Sequence, residues 1–256
     1  MTTVQAIILG CVEGLTEFLP ISSTGHMILV SHFLSVVDSS TLITFEIVVQ
    51  LGAILAVVVS YHKKLFDITM IKKLLVAFLP TGLAGFIIFP YIKHLLGNPK
   101  LVAIMLVLGG IIILIVERKY KKQIPDNEKT NTIDISYKQA LMLGSFQILA
   151  MIPGVSRSGA VIIGGLTQKM SRKVLVEFSF LLAVPTMIVA TLYTILKKYN
   201  ELSVESLSPI IIGTVVAFMV AFTVIRFVLA YIRKHSFEVF GWYRIVVGII
   251  ILLVLW

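Results

Sequence analysis

The segment EGLTEFLPISSTGH, residues 13–26, concentrates acid–base and metal-binding side chains in an otherwise apolar part of the chain. Glu13 and Glu17 are four residues apart, so on a helix both carboxylates lie on one face. In a low-dielectric setting such a pair needs compensation from a divalent cation held by oxygen ligands or from a shared proton. Bonding to backbone or hydroxyl groups is the structural alternative. Carboxylates within a membrane are usually functional, so we expect this pair to bind a cation or to share a proton.

A proline in this segment interrupts the helix and is followed by three hydroxyl side chains and a histidine. Ser22, Ser23 and Thr24 are favourable N-cap residues for a second helix, and capping would account for two of the three hydroxyls. His26 is expected one turn into that helix, either as a satisfied buried histidine or as an acid, base or nucleophile. The nearby carboxylates and serines favour the chemical role, so His26 is a candidate catalytic residue.

A second polar segment, PGVSRSGAV at residues 153–161, has the composition of an anion-binding turn. Glycines such as Gly159 permit tight turns, and Ser156 and Ser158 can begin a helix whose first N–H groups attract anions. Arg157, between these serines, suits bidentate binding of phosphate. An Arg–Glu ion pair that joins the two segments is the alternative, and an anion could also bridge such a pair.

Together the two segments contain the groups that metal-assisted phosphoryl transfer requires. These groups are a metal-binding carboxylate pair, a nucleophile and a guanidinium that stabilises the developing charge. Glu46 and Gln50 are polar, lie four residues apart in an apolar run and are candidate supporting residues around the site. Gln147 is a third candidate, because it occupies the position of Glu13 when the two halves of the chain are aligned.

The composition indicates an integral membrane protein. Of the 256 residues, 58% are hydrophobic and only 14% are charged, and the mean hydropathy is +1.00. A soluble chain of this length could not bury so much apolar surface. The net charge of +9 comes from Lys and Arg in short loops between apolar runs, which is typical of topology signals and not of a nucleic-acid site.

Apolar runs predict an all-α polytopic fold with about six transmembrane helices and two re-entrant helical hairpins. The spans are predicted near 41–61, 72–92, 100–116, 174–196, 208–232 and 240–256. The regions 4–35 and 137–170 are each broken by Pro, Gly and Ser, and broken segments at membrane depth line cavities or lie within protein. We interpret both as hairpins. The charged groups Arg226, Arg244, His94 and Glu177 lie near span ends, where snorkelling or local pairing explains them.

Each predicted half contains one hairpin and three spans, so the second half is expected to be inverted. The halves are repeat 1, about 1–116, and repeat 2, about 137–256, joined by a solvated inner connector at about 117–136. Placing the N-terminus outside puts the loops richest in Lys and Arg inside. Inverted repeats bring their broken segments together near the midplane.

At these residues the chain resembles the undecaprenyl-diphosphate phosphatases, or bacitracin-resistance proteins, over almost its whole length. The resemblance is carried by Glu13 and Glu17 with FLPISSTGH, by PGVSRSG, by TFEIVVQLGAILAVV at 44–58 and by EFSFLLAVP at 177–185. It implies an enzyme of the bacterial cell membrane that removes the terminal phosphate of a polyprenyl diphosphate, recycles the lipid carrier of wall synthesis and confers bacitracin resistance. It also implies two re-entrant hairpins in an inverted repeat.

By this resemblance, Glu13 and Glu17 bind a divalent cation, Mg²⁺ or Ca²⁺, or take part in acid–base chemistry, in a site open to the outer face. Ser23, His26 or a water is the nucleophile. The predicted substrate-binding residues are Ser22, Thr24, Ser156, Arg157, Ser158 and Gly159. The chain departs from the family pattern at Val161, where a threonine is usual.

A transporter or flippase of an anionic polyprenyl phosphate lipid is the alternative function, because inverted repeats with broken helices are typical of transporters. The acid–base and nucleophilic groups of residues 13–26 favour the phosphatase, since binding alone does not need them. The expected partners are the polyprenyl diphosphate and membrane lipids, with a second copy of the chain as a further candidate and no nucleic acid.

Overall fold

The computed structural model describes the backbone of residues 1–36, 39–92, 95, 98–123, 133–198 and 204–254, and within these ranges the regular elements are helices. The α-helices are α1 Thr3–Thr16, α2 Ser23–Phe33, α3 Ser39–Leu65, α4 Ile68–Ile92, α5 Pro99–Tyr120, α6 Tyr137–Gln147, α7 Arg157–Thr167, α8 Arg172–Lys198, α9 Val204–Ile232 and α10 Glu238–Val254. The all-α polytopic class is confirmed.

Among the described residues, five helices are long and apolar enough to cross a membrane, namely α3, α4, α5, α8 and α9. They correspond to the first five predicted spans. The predicted sixth span corresponds to α10, which is described over 17 residues, Glu238–Val254. A count of six spans therefore stays a prediction.

The two regions predicted to be broken are each a pair of short helices. In the first, the 14-residue α1 and the 11-residue α2 are separated by a turn that contains Pro20. In the second, α6 continues into the 3₁₀ turn Ile148–Met151 before α7 begins at Arg157. Each helix is shorter than the roughly 20 residues that span a bilayer. The breaks are confirmed, while the return of each hairpin to its own side of the membrane stays a prediction.

The second helix of each pair begins after a serine with the same unusual backbone. Ser22 has φ 69° and Ser156 has φ 72°, in the left-handed region that side chains other than glycine rarely adopt. Such strained residues persist only where the surrounding structure holds them, and they concentrate at functional sites. The two serines occupy matching positions in the aligned halves.

Helix packing also follows the order of the predicted repeat. Helix α1 packs on α9, and its counterpart α6 packs on α4, the counterpart of α9. Two further contacts, α3 with α8 and α5 with α10, each join counterparts from the two halves. Small residues allow these backbones to approach closely, because a Cβ at Gly144 would lie 1.7 Å from the carbonyl oxygen of Ala77, and one at Gly10 would lie 2.6 Å from that of Gly213. The inverted orientation of the halves, and their limits, stay predictions.

The connector predicted to be solvated is partly buried. Helix α5 continues to Tyr120, and Glu117 within it is fully buried in an ion pair with Arg172 of α8. At the other end, Ile133 and Ile135 lie in the main apolar core. The prediction was wrong at both ends, because an ion pair and apolar side chains hold them against the bundle. Residues 124–132, which include Lys129, lie outside the described ranges.

A single side chain of α10 joins both hairpin turns to α5. Arg244 is fully buried, and its guanidinium donates five hydrogen bonds to backbone carbonyls at 2.9–3.3 Å. The acceptors are the carbonyls of Pro20 in the first turn, Gly154 and Val155 in the second, and Met105 and Leu106 in α5. The interpretation of Arg244 as a snorkelling or locally paired residue was wrong.

For the other three residues near span ends, Glu177 is paired with Lys64, Arg226 lies over the ring of Phe222, and His94 lies outside the described residues.

Substituting Arg244 by Met is expected to lower the free energy of unfolding by about 3 kcal/mol, because each buried polar group left without a partner costs about 1 to 3 kcal/mol. Thermal and denaturant unfolding of the detergent-solubilised protein would measure the change. The matched control is Arg226→Met on α9, where the arginine is exposed, and a change below about 0.5 kcal/mol is expected there. Equal losses in the two variants would contradict an anchoring role for Arg244.

Candidate active site

The carboxylate of Glu17 joins three elements of the candidate site. Glu17 is the C-terminal cap of α1 and is buried. Its Oε2 accepts a hydrogen bond of 2.7 Å from the hydroxyl of Ser23, the first residue of α2. Its Oε1 accepts a bond of 3.1 Å from Nη2 of Arg157, the first residue of α7. The structure therefore brings together three predicted catalytic residues from two segments far apart in the sequence.

The guanidinium of Arg157 is buried between the two hairpins. Besides its ion pair with Glu17, its Nη1 donates a 2.7 Å bond to the backbone carbonyl of Ser179 in α8. Its Nε has no hydrogen-bond partner, and neither has the hydroxyl of Ser179. The ion-pair interpretation is confirmed, and phosphate binding by Arg157 stays a prediction. Ser179 was missed, because a backbone carbonyl carries no side-chain signal in the sequence.

The serines of the second hairpin form a hydrogen-bonded chain that ends at the first hairpin. Ser158 donates to the carbonyl of Leu19 at 2.9 Å, so its Oγ is left to accept the hydroxyl proton of Ser156 at 3.1 Å. The Oγ of Ser156 in turn accepts from the backbone N–H of Gly159 at 3.2 Å, which caps α7. Ser156 therefore caps a helix, as predicted, and Ser158 links the two turns.

The first hairpin is capped differently from what the sequence predicts. Ser22 occupies the N-cap position of α2, but its side chain makes no capping hydrogen bond. The hydroxyl of Ser23 bonds Glu17 instead of the helix backbone, and Thr24 is partly buried in the first turn. Capping was therefore the wrong explanation for the hydroxyls of Ser22 and Ser23, and the hydroxyl of Ser23 has the buried carboxylate as its acceptor.

The carboxylates of Glu13 and Glu46 have unsatisfied acceptor capacity. Glu13 is buried and lies within electrostatic reach of Glu17, Glu46 and Arg157. One oxygen of Glu13 and one of Glu46 are buried without a hydrogen-bond partner. Within the part of the chain that the structure describes, no three or more His, Cys, Asp or Glu side chains form a complete metal cage. Mg²⁺ commonly uses one or two carboxylates together with water and substrate phosphates, and Glu13 fits that requirement.

Both ring nitrogens of His26 are engaged by groups outside the carboxylate cluster. The residue lies in the first turn of α2, as predicted, and is buried. Its Nδ1 bonds the backbone carbonyl of Ser22, and its Nε2 bonds the hydroxyl of Tyr243 in α10, each at 2.8 Å. Tyr243 was missed, because it belongs to neither polar segment and reaches His26 only through packing of the last helix.

Gln147 and Gln50 are the two other predicted supporting residues. The amide nitrogen of Gln147 donates to the hydroxyls of Thr81 in α4 and Thr186 in α8, at 3.1 and 3.2 Å. Gln50 in α3 is partly buried. Their supporting roles stay predictions.

The side chain at the position of departure from the family pattern is fully buried. Val161 lies in α7 within the main apolar cluster. A hydroxyl in this helix could be satisfied by the backbone carbonyl one turn earlier, at Arg157. Val161 therefore fits its surroundings as an apolar residue.

Comparison with known proteins identifies the family of this chain. The sequence model of a family described as bacitracin resistance protein BacA matches residues 6–250. A protein named undecaprenyl-diphosphatase from Sulfurihydrogenibium sp. (strain YO3AOP1) is 48% identical, with 98% of each chain covered. Proteins of the same name from Wolinella succinogenes and Bdellovibrio bacteriovorus are 50% and 46% identical, with 98% and 100% of this chain and 98% and 97% of theirs covered. The chain therefore belongs to the bacitracin resistance protein BacA family.

Proposed function

We propose that this protein is a membrane phosphatase that hydrolyses undecaprenyl diphosphate to undecaprenyl phosphate and inorganic phosphate. This reaction would recycle the lipid carrier of cell-wall synthesis and confer bacitracin resistance. Relatives at 43–50% identity over nearly the whole chain are named for this activity. The observation that carries the proposal is the buried carboxylate of Glu17, which contacts both the Ser23 hydroxyl and the Arg157 guanidinium. A protein that only bound or moved the lipid would not need a hydroxyl paired with a base.

Ser23 is the nucleophile that this geometry favours. Its Oγ–H donates to Glu17 at 2.7 Å, within the distance at which a general base removes a proton. Ser23 Oγ would form a bond to the terminal phosphorus while the bond from that phosphorus to the bridging oxygen breaks, and the leaving group is prenyl monophosphate. Glu17 takes the hydroxyl proton. Water then cleaves the phosphoserine, which releases inorganic phosphate and restores the serine.

Arg157 would stabilise the charge that develops on the phosphoryl oxygens. In the resting structure one of its terminal nitrogens bonds Glu17 and the other bonds the carbonyl of Ser179. When Glu17 takes a proton, its attraction for the guanidinium weakens, and donors of Arg157 become available to phosphate. The unpartnered Nε is a further donor at the same place.

Glu13 would hold a divalent cation, Mg²⁺ or Ca²⁺. The support is its buried oxygen without a partner, beside the carboxylates of Glu17 and Glu46. When bound, such a cation neutralises phosphate oxygens and polarises the phosphoryl group. The negative charge of Glu46 would also help to balance the positive charge of the cation.

The protein would act in the bacterial cytoplasmic membrane with its site open to the outer face, in contact with membrane lipids. The loop charges support this orientation, because Lys63, Lys64, Arg118, Lys119 and Arg233 all fall on the inner side when the N-terminus is outside. A homodimer is compatible with this arrangement.

Replacing Glu17 by Gln, or Arg157 by Lys, is expected to lower kcat at least about a hundredfold, because the base and the forked donor are lost. Phosphate release from C15 and C55 prenyl diphosphates by purified protein would measure it. The matched control is Glu177→Gln, which removes a buried carboxylate paired with Lys64 at 2.7 Å. An inactive, folded wild-type protein would contradict the phosphatase proposal.

Ser23→Ala is expected to abolish a phosphoenzyme that wild type forms during turnover. Rapid acid quenching followed by mass spectrometry of the peptide containing Ser23 would detect the added phosphate. Ser31→Ala is the control, since Ser31 is also buried in α2 but its hydroxyl bonds the carbonyl of Ile28. Normal turnover by Ser23→Ala would assign the attack to water or to His26.

Glu13→Gln is expected to weaken cation binding by at least about tenfold, because it removes a charged oxygen ligand. Mn²⁺ titration followed by electron paramagnetic resonance measures binding without turnover. Glu177→Gln again serves as the control for a lost buried carboxylate. Unchanged Mn²⁺ affinity in Glu13→Gln would remove Glu13 from the proposed cation site.

A further inference from the structure

We propose that Tyr243 is a positioning residue of the active site, acting through His26 on the serine that attacks phosphorus. The inference rests on the proposed phosphatase function. Helix α10 contains neither of the two polar motifs. By this proposal it nevertheless controls the first hairpin turn.

The contact between Tyr243 and His26 is well defined. The phenol oxygen lies 2.8 Å from Nε2, the ring planes differ by 4°, and the ring centroids are 5.5 Å apart. His26 is 8% exposed, whereas Tyr243 is 42% exposed. The more exposed phenol therefore bonds an imidazole that is itself buried.

The partners of His26 define which nitrogen carries its proton. The carbonyl of Ser22 can only accept, so Nδ1 must donate to it. In the neutral ring Nε2 is then an acceptor, and it receives the hydroxyl proton of Tyr243. Tyr243 thus favours the tautomer with the proton on Nδ1, which is the one that binds Ser22.

The bond to Ser22 connects His26 to the nucleophile. Ser22 has the strained backbone described above, and the next residue is Ser23, whose hydroxyl must stay aligned with Glu17. Through its bond from Nδ1, His26 holds the carbonyl of Ser22 in that conformation. Loss of the tautomer or of the ring orientation would release this carbonyl and misalign Ser23. His26 therefore acts in the structure as a brace whose own orientation depends on Tyr243.

Tyr243→Phe keeps the ring and removes only the hydroxyl. We expect kcat to fall about tenfold with KM within about twofold, because one hydrogen bond to a buried group is lost and substrate contacts are not. Tyr137→Phe is the control, since Tyr137 is exposed to a similar extent, 47%. Unchanged kcat in Tyr243→Phe would overturn the inference.

A double-mutant cycle separates action through His26 from a general structural effect. His26→Asn keeps a donor near Ser22 but presents no acceptor to Tyr243. In that background Tyr243→Phe is expected to have no further effect on kcat. A second tenfold loss would overturn the inference, since Tyr243 would then act independently of His26.

Histidine tautomers supply a readout without turnover. In protein labelled with ¹⁵N-histidine, the signals of His26 are those lost in His26→Asn, and we expect wild type to carry the proton on Nδ1. In Tyr243→Phe we expect the Nε2 shift to move and the Nε2–H tautomer to appear. Active wild type with an unchanged spectrum in Tyr243→Phe would overturn only this inference, whereas inactive wild type would overturn the phosphatase function on which it rests.

Discussion

Backbone carbonyls at a helix break inside a membrane must find hydrogen-bond donors within the protein, because lipid offers none. The two hairpin turns of this chain expose such carbonyls at Pro20, Gly154 and Val155, and one guanidinium satisfies all three. Arg244 also bonds two carbonyls of α5, so the turns are held against a long apolar helix and against each other. All acceptors of Arg244 are backbone carbonyls, so dipoles balance its positive charge. Arg244 therefore needs no carboxylate partner near the substrate.

That anchor makes a strained and polar site tolerable. Once the turns are held, Ser22 and Ser156 can keep left-handed backbones, and the carboxylate of Glu17 can be buried between a hydroxyl and a guanidinium. The site still contains polar atoms without partners, on Glu13, Glu46, Arg157 and Ser179. Such atoms cost stability, and native proteins retain them chiefly where a function requires them. Their grouping around Glu17 and Arg157 agrees with a site that binds a cation and an oxyanion.

The predictions that the structure confirms rest on features that are local in the sequence. The breaks in both hairpins follow from proline, glycine and the length of each apolar run, and the pairing of Glu17, Ser23 and Arg157 follows from their chemistry once the hairpins meet. The roles of Arg244 and Tyr243 could not be predicted, because each acts only through the packing of α10 against turns that lie 89 to 224 residues away in the sequence. Propensity alone would let two of the three hydroxyls of the first hairpin cap a helix, but Ser22 makes no capping bond and Ser23 donates its proton to the buried carboxylate of Glu17.

The position of α10 has a consequence for how the site forms. Glu17 and Ser23 come from the first half and Arg157 from the second, while the two residues that hold their turns, Tyr243 and Arg244, are adjacent near the C-terminus. Since these side chains follow one another on a helix, they point in different directions, and each reaches a different part of the first turn: Arg244 the carbonyl of Pro20, and Tyr243 the imidazole that bonds Ser22. Neither half alone contains a complete site. The geometry of the candidate site therefore depends on contacts from both halves of the chain and from the last helix.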